Sequence, residues 1–393
     1  MPLLPGIETL AQDMALVRRD IHMHPEVGFE EFRTADIVSK KLTEWGIEHE
    51  CGIAGTGIVA TLRKGTSERS IGLRADLDAL HLTELNEFEH KSCHPGKMHG
   101  CGHDGHTAML LGAAHYLAKN ADFDGTVHLI FQPAEEGLGG ARKMIEEGLF
   151  ERFPCDAVFG MHNMANVEPG HFGMRVGAIL ASSDTWDVEF TGSGGHGAMP
   201  HRTEDPVAAA AQFVISLQSI IARSKDALDP AVISVGSIQA GNPGAANVIP
   251  STCRVVGTAR AFSLEAQDLM EDGVQRIAQA AADMYRVKTQ VRYTRRYLPT
   301  INHPDPVALT VEAATRVAGA DAVDANCAPV TASEDFSFMA QAVPAAYIYI
   351  GNGSGDGGCV QHSPHFDFND DIIPAGISYW VELVNVALPT SEK

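Results

Sequence analysis

Nine consecutive residues, Met98-His99-Gly100-Cys101-Gly102-His103-Asp104-Gly105-His106, set a thiol, three imidazoles and a carboxylate among glycines. Cys101 and His103 stand at i, i+2 in this loop, and Gly100 and Gly102 remove the steric obstacle to turning both side chains toward one ion. A divalent metal would keep the thiol deprotonated and accept neutral imidazole beside it. A structural zinc site built from Cys93, His94, Cys101 and His103 is the competing reading. Nearby carboxylates weigh against it, because closed structural zinc sites are made of sulfur and nitrogen.

The pair Glu135-Glu136 is the second signal. It follows an apolar run and Pro133, a setting that disfavours exposure. One carboxylate can bind metal while its neighbour holds an attacking water as general base, and hydrolysis needs both roles close together. His162 and His362 complete a set of five ligands with Cys101, His103 and Glu136. Five are enough for two metals sharing a bridging ligand and a bridging water. Asp76 is read as a carboxylate behind the ligands, holding a ligand imidazole in its tautomer. Zinc, manganese, cobalt and nickel all suit such a mixture of sulfur, nitrogen and oxygen.

Regular elements have to bring these residues together. Helical spacing of apolar positions covers about Ile7 to His22 and Thr34 to Trp45, the second closed by Gly46. Short apolar strands then alternate with helices: Gly57 to Leu62, Ile71 to Leu73, a helix from about His106 to Lys119, Thr126 to Phe131, a helix near Arg142 to Glu147, and Ala157 to Gly160. That is the pattern of an α/β domain with a mainly parallel sheet flanked by helices. In such a sheet the residues just past the carboxyl ends of strands form the site. Three strand ends here run into Asp76, into Glu135-Glu136 and into His162.

The pattern changes between residues 182 and 295. Thr185 to Phe190 reads as a strand, Pro206 to Ala222 as an alanine-rich helix, and Val232 to Ile238 and Cys253 to Ala261 as strands. Leu264 to Tyr285 is a second helix and Lys288 to Tyr293 a last strand. Strand-helix-strand-strand-helix-strand is the ferredoxin-like α+β order. The expected organisation is a catalytic domain of residues 1–181 and 296–393 with residues 182–295 inserted. The first sheet resumes near Ala345 to Ile350, and a helix from about Ile373 to Val386 closes the chain.

With 393 residues, two domains are the default. The 45% apolar and 20% charged content is that of an ordinary globular enzyme. A formal charge of -21 argues against nucleic acid and anionic membrane surfaces as partners. Residues Met1 to Leu10 lack the features of a secretory leader, and no run approaches the roughly 18 apolar residues of a membrane span. Seven cysteines without a repeating spacing do not form a disulfide framework. A thiolate ligand is safest in a reducing compartment, so a cytoplasmic location is expected.

The chain resembles the dinuclear metallo-amidohydrolases of the hippurate hydrolase type, which include N-acyl-amino-acid amidohydrolases and plant auxin-conjugate hydrolases. The resemblance runs through His24-Pro25-Glu26 with Glu30, Arg74-Ala75-Asp76-Leu77-Asp78-Ala79-Leu80, Met98 to His106, Phe131 to Glu136 and Gly194-Gly195-His196. It continues through Pro200-His201, Asn247-Val248-Ile249-Pro250, Gly257-Thr258-Ala259-Arg260, Ser333-Glu334-Asp335-Phe336 and His362-Ser363-Pro364. It implies two divalent ions held at Cys101, His103, Glu136, His162 and His362 with the cysteine bridging, and Glu135 as general base. It also implies an inserted domain that dimerises and lids the site, with His196 reaching the partner subunit's active site. Asn247 and Arg260 would anchor a substrate carboxylate. One departure is His81, where the family commonly has proline; it puts the shape of the 81–97 loop in doubt, and His81, His90 and His94 are read as surface residues.

The expected activity is hydrolysis of the amide bond of N-acyl amino acids to a carboxylic acid and a free amino acid. Two ions lower the pKa of a bridging water, Glu135 takes its proton, and metal with His196 stabilises the oxyanion. A metallopeptidase cutting dipeptides would share this apparatus. A non-catalytic amino-acid-binding or metal-binding protein should have lost the base or a ligand, and all are present.

Overall fold

The computed structural model describes residues 4–390, so the first three residues of the stretch read for a leader lie outside the described residues. The chain divides into two compact units. One comprises the residues up to Ile179, Ile301–Ala328 and those from Asp335 onward; the other comprises Leu180–Thr300 and Pro329–Glu334.

The first unit is built on an eight-stranded sheet. Its strands are β1 (Glu48–Ile53), β2 (Gly57–Lys64), β3 (Ser70–Asp76), β4 (Gly125–Gln132), β5 (Ala157–Ala165) and β6 (Phe172–Gly173), with Val323–Asp324 and Ala345–Gly353. The spatial order is β1-β2-β4-β3-β5, then Ala345–Gly353, β6 and Val323–Asp324. β4, β3, β5 and Ala345–Gly353 are mutually parallel, whereas β1 and β2 add an antiparallel edge. Every residue of β3 and of Ala345–Gly353 is buried, as expected of strands covered on both faces. Helices α1 (Ile7–Met23), α2 (Phe32–Glu44) and α3 (His103–Asn120) join Pro304–Ala318 and Ile373–Ala387 in packing around this core.

Three differences from the sequence reading have physical causes. β1 is not legible as a strand in the sequence, because five of its six positions are exposed or half-exposed and it carries no apolar alternation. α3 starts at His103, three residues earlier than its apolar face implies, because Gly102 supplies the left-handed entry with φ 102° and ψ 13°. β5 continues past Gly160 to Ala165, so His162 lies within the strand.

The second unit holds a four-stranded antiparallel sheet in the order Ala231–Ala240, Thr252–Ala261, Ser183–Thr191, Lys288–Tyr297. The helices Pro206–Ser219 and Leu264–Tyr285 cover one face, where Trp186, Phe190, Phe213, Val255 and Met270 form a separate core. Pro329–Glu334 belongs with this unit, since the Ala181 N–H meets the carbonyls of Val330 (3.2 Å) and Ala332 (2.9 Å). Pro206–Ser224 is long and apolar enough by composition to cross a bilayer, contrary to the sequence reading. Ala209, Ala210, Phe213, Leu217 and Ile220 bury one side of it in this unit's core, as in an ordinary core helix.

Candidate metal centre

The carboxyl ends of the parallel strands bring the first unit's predicted ligands together. Candidate ligand atoms of Cys101, His103 and His162 lie within 4.8 Å of one another, and so do those of Cys101, Glu136 and His362. Cys101 is thus common to two triads. A third grouping joins His103 to Glu135 and Glu136. Cys93, by contrast, is exposed, and His94 packs edge-on against His24 at 5.8 Å. Among the described residues neither joins the cluster, so the alternative four-ligand site is not formed.

His103 and His162 are each held with one nitrogen engaged and the other facing the cluster. His103 Nδ1 donates to the Asp78 carbonyl at 2.8 Å, and its buried Nε2 has no hydrogen-bond partner. His162 Nδ1 donates to the Asn163 carbonyl at 2.6 Å, and its Nε2 lies 3.3 Å from Cys101 Sγ. Burial, reinforced by His106, holds the His162 pKa well below the usual range, so this imidazole is neutral and able to ligate. His362 Nε2 is 3.2 Å from Glu136 Oε1, on a backbone with φ 63°. Hydrogen bonds to Cys101 and Glu136 raise its pKa to about 10. Burial pushes the Cys101 thiol up, and the Glu136 charge adds to the effect. A neutral imidazole, a buried thiol and a carboxylate paired with a second imidazole thus converge on one centre. Together with the orphaned His103 Nε2 and the sulfur, nitrogen and oxygen donors, this fits a transition-metal site.

The support differs from expectation at Asp76. Its carboxylate accepts from Arg74 at 2.7 Å and bonds His106 Nδ1 at 2.6 Å, but stands 3.7 Å from His103 Nε2. The imidazole it orients is therefore His106, and the candidate ligand His103 is oriented by Asp78. Asp78 does more. Its Oδ1 accepts the Glu135 N–H at 3.0 Å and its Oδ2 the Glu136 N–H at 2.9 Å. One buried carboxylate thus fixes both glutamates of the 133–140 loop. Asp335 was also missed as a functional residue. It accepts from Arg74 (3.1 Å), Gln132 (2.8 Å) and the Ala141 N–H (2.9 Å), while its own N–H lies 3.4 Å from Glu135 Oε1.

Gly102 and Gly140 are required by contact. A Cβ on Gly102 would lie 2.3 Å from Asn163 Oδ1, and one on Gly140 would lie 1.7 Å from the Pro133 carbonyl oxygen. Of the remaining histidines, His106 is a support, bonded to Asp76 and 2.8 Å from Asn163 Oδ1. His99 is buried and its pKa is pushed down to about 4 by burial. His90, read as a surface residue, instead stacks on Phe88 and lies 3.2 Å from Asp367. In the 81–97 loop, Glu84 accepts the Ser92 N–H at 2.6 Å and meets His22 at 3.3 Å.

The second unit carries His196, Asn247 and Arg260. His196 lies in a two-stranded ribbon opposite Val248, beside Asn247, whose carbonyl accepts the Gly197 N–H at 2.7 Å. Its Nδ1 accepts the Ala198 N–H at 3.0 Å, which leaves Nε2 as the protonated nitrogen. Arg260 is on the sheet strand Thr252–Ala261, half-buried, with one Nη bonded to Thr258 Oγ1 and the Ala259 carbonyl.

A mixed-donor cluster at the carboxyl edge of a parallel sheet, with the buried Glu135 carboxylate beside it, defines a metal-dependent hydrolase. The chain matches Peptidase family M20/M25/M40 over residues 72–386, and it belongs to that family. It is 40% identical over 383 residues to the hippurate hydrolase of Campylobacter jejuni, covering 98% of each chain. It is also 40% identical over 370 residues to IAA-amino acid hydrolase ILR1-like 2 of Arabidopsis thaliana, covering 92% of this chain and 82% of the relative. A Bacillus subtilis structure described as a dinuclear metal-binding peptidase of the M20 family superposes with a TM-score of 0.84. That protein is 30% identical, with 98% of this chain and 100% of the other covered.

Proposed function

We propose that the protein hydrolyses the amide bond of N-acyl amino acids, giving a carboxylic acid and a free amino acid. Two divalent ions would be held by Cys101, His103, Glu136, His162 and His362, with Cys101 shared. The observation that carries this reading is the pair of ligand triads meeting at one thiol with Glu135 beside them. The relatives named for hippurate and IAA-amino acid hydrolysis support the substrate class.

Bound ions of this kind polarise a carbonyl and lower the pKa of water. The chain's own residues handle protons and orientation. The Glu135 carboxylate, 6% exposed, takes a proton from the attacking water and returns it to the departing amine nitrogen. Asp78 fixes the Glu135 backbone through its N–H, and the Asp335 N–H faces the Glu135 carboxylate at 3.4 Å. In the second unit, His196 Nε2–H is a hydrogen-bond donor suited to a developing oxyanion. Asn247 and the unengaged N–H groups of Arg260 suit a substrate carboxylate.

A second copy of the chain is the proposed partner, with His196 serving the neighbouring subunit. Val207 and Ile215 on the helix Pro206–Ser219 are exposed, as are Val232 and Ile238 on Ala231–Ala240. That strand pairs only with Thr252–Ala261 among the described residues. An apolar edge of this kind is normally covered.

The test is release of glycine from hippurate by metal-loaded protein, abolished by a chelator and restored by added metal. Glu135→Gln should keep its metal and lose roughly three orders of magnitude in kcat, within the range for removal of a general base. Near-normal turnover in Glu135→Gln overturns the base assignment. Cleavage of unblocked dipeptides with none of hippurate would establish the peptidase reading instead.

A further inference from the structure

The turn that delivers Glu135 passes through a backbone conformation that L-residues disfavour. Ala134 has φ 55° and is wholly buried. Only glycine adopts this left-handed region without cost, so something must hold Ala134 there. Crowding contributes: a Cβ on Gly28 would lie 3.0 Å from both Cα and Cβ of Ala134.

The direct hold comes from Glu31, 103 residues earlier in the chain. The Ala134 N–H donates to Glu31 Oε1 at 2.8 Å. The Thr56 hydroxyl donates to Glu31 Oε2 at 2.6 Å. Glu31 is 0% exposed and precedes the first turn of α2. Thr56 belongs to the tight turn between β1 and β2, closed by Thr56 N–H to the Ala54 carbonyl at 3.3 Å. One carboxyl group therefore ties the start of α2 and the β1–β2 turn to the residue before Glu135. Burial raises its pKa to about 7; the Thr56 hydrogen bond opposes this and the Asp78 charge adds to it.

We propose that Glu31 is a positioning residue for the hydrolysis, clamping Ala134 in the left-handed turn and so setting the direction in which Glu135 and Glu136 leave the loop. This rests on the amide-hydrolase reading above. The clamp works through reach and not through charge. A carboxyl group that cannot span from Thr56 to Ala134 lets φ of residue 134 relax to negative values, which swings both glutamates.

Three variants separate these effects. Glu31→Asp keeps the charge but retracts the acceptor by about 1.5 Å, one carbon–carbon bond. Glu31→Gln keeps the reach and gives up the charge, with its amide nitrogen able to donate to Thr56 Oγ1. Glu31→Asp combined with Ala134→Gly places at the turn a residue for which φ near +55° is unstrained. Each folded protein is loaded with cobalt(II) and read by kcat and KM on hippurate and by the visible absorption of the bound cobalt.

Glu31→Asp is expected to lose about tenfold in kcat with KM changed less than about twofold, and to shift the cobalt spectrum. Glu31→Gln should stay within about threefold of the wild type, and the double variant should recover most of the loss. The proposal is overturned by a Glu31→Asp protein with unaltered kcat and cobalt spectrum, by Glu31→Gln impaired as severely as Glu31→Asp, or by a folded double variant no better than Glu31→Asp. If the wild type hydrolyses no N-acyl amino acid, the hydrolytic reading fails, and the same comparisons in the cobalt spectrum still decide whether Glu31 sets the loop.

Discussion

Asp78→Asn is the substitution that most directly tests how the site is held. The Asp78 carboxylate accepts backbone N–H groups from both Glu135 and Glu136, and its carbonyl accepts from His103 Nδ1. Asparagine keeps the carbonyl and one side-chain oxygen, so His103 and one glutamate N–H retain an acceptor. At the other position an amide N–H₂ would face a backbone N–H. One charge-assisted hydrogen bond is lost and a buried donor is left unpaired, at about 2 kcal/mol. That energy corresponds to roughly thirtyfold. It should fall on the Glu136 side of the centre, since the His103 anchor survives. Metal bound per chain, measured by elemental analysis against chelator-buffered free metal, should show one of the two ions weakened by roughly that factor and the other little changed. The kcat on hippurate should fall in parallel. A folded Asp78→Asn protein with both metal affinities and kcat within about twofold of the wild type would refute the reasoning, because the two N–H contacts would then contribute nothing to placing the glutamates.

Two further outcomes follow from other parts of the molecule. If His196 serves the neighbouring subunit, mixing inactive Glu135→Gln and His196→Ala proteins should restore roughly a quarter of wild-type turnover, since random pairing makes half the dimers mixed and each mixed dimer has one intact site; proven subunit exchange without recovery counts against sharing. Burial lowers the His22 pKa, but the hydrogen bond and charge of Asp104 and the hydrogen bond to Glu84 outweigh it and raise the value to about 9. A raised folded-state pKa stabilises fully below the ordinary value near 6.5, and the contribution, on the order of 3 kcal/mol, is lost as pH rises through about 9. Denaturant titrations should therefore show the wild type converging on His22→Gln between pH 7 and 10, and parallel pH curves for the two would remove His22 from the account.

What the sequence disclosed about the site follows the direction in which chain geometry carries information. Cys101 and His103 are two residues apart, and Glu135 and Glu136 follow a visible apolar strand, so local spacing and strand ends were enough to name them. His162 reads as a residue past a strand end, whereas the strand continues through it. Nothing local in the sequence marks Asp78 or Asp335, and their contacts show why. Asp78 reaches N–H groups 57 and 58 residues away, and Asp335 reaches Gln132 across 203 residues. A carboxylate that serves distant backbone leaves no periodicity and no motif of its own. In the fold, the long buried strands are readable as apolar runs, whereas the exposed edge strand β1, the helices Pro304–Ala318 and Phe336–Ala342, and short strands such as Phe172–Gly173 carry too little pattern to be read.

The 133–140 loop shows what these long-range carboxylates accomplish. It is too irregular to form a ladder with its neighbours, so its buried N–H groups need acceptors from elsewhere. Glu31 takes the N–H of Ala134, Asp78 those of Glu135 and Glu136, and Asp335 that of Ala141 just beyond the loop. Four points of backbone, three of them consecutive, are thus set by three acids from three separate parts of the chain. Side-chain acceptors hold a loop at chosen residues, whereas a strand ladder would hold it at every second residue and dictate which side chains face the sheet edge. The loop can therefore present two adjacent glutamates in different roles, Glu136 toward Cys101 and His362 and Glu135 beside Asp335, which regular strand alternation would send to opposite faces of the sheet.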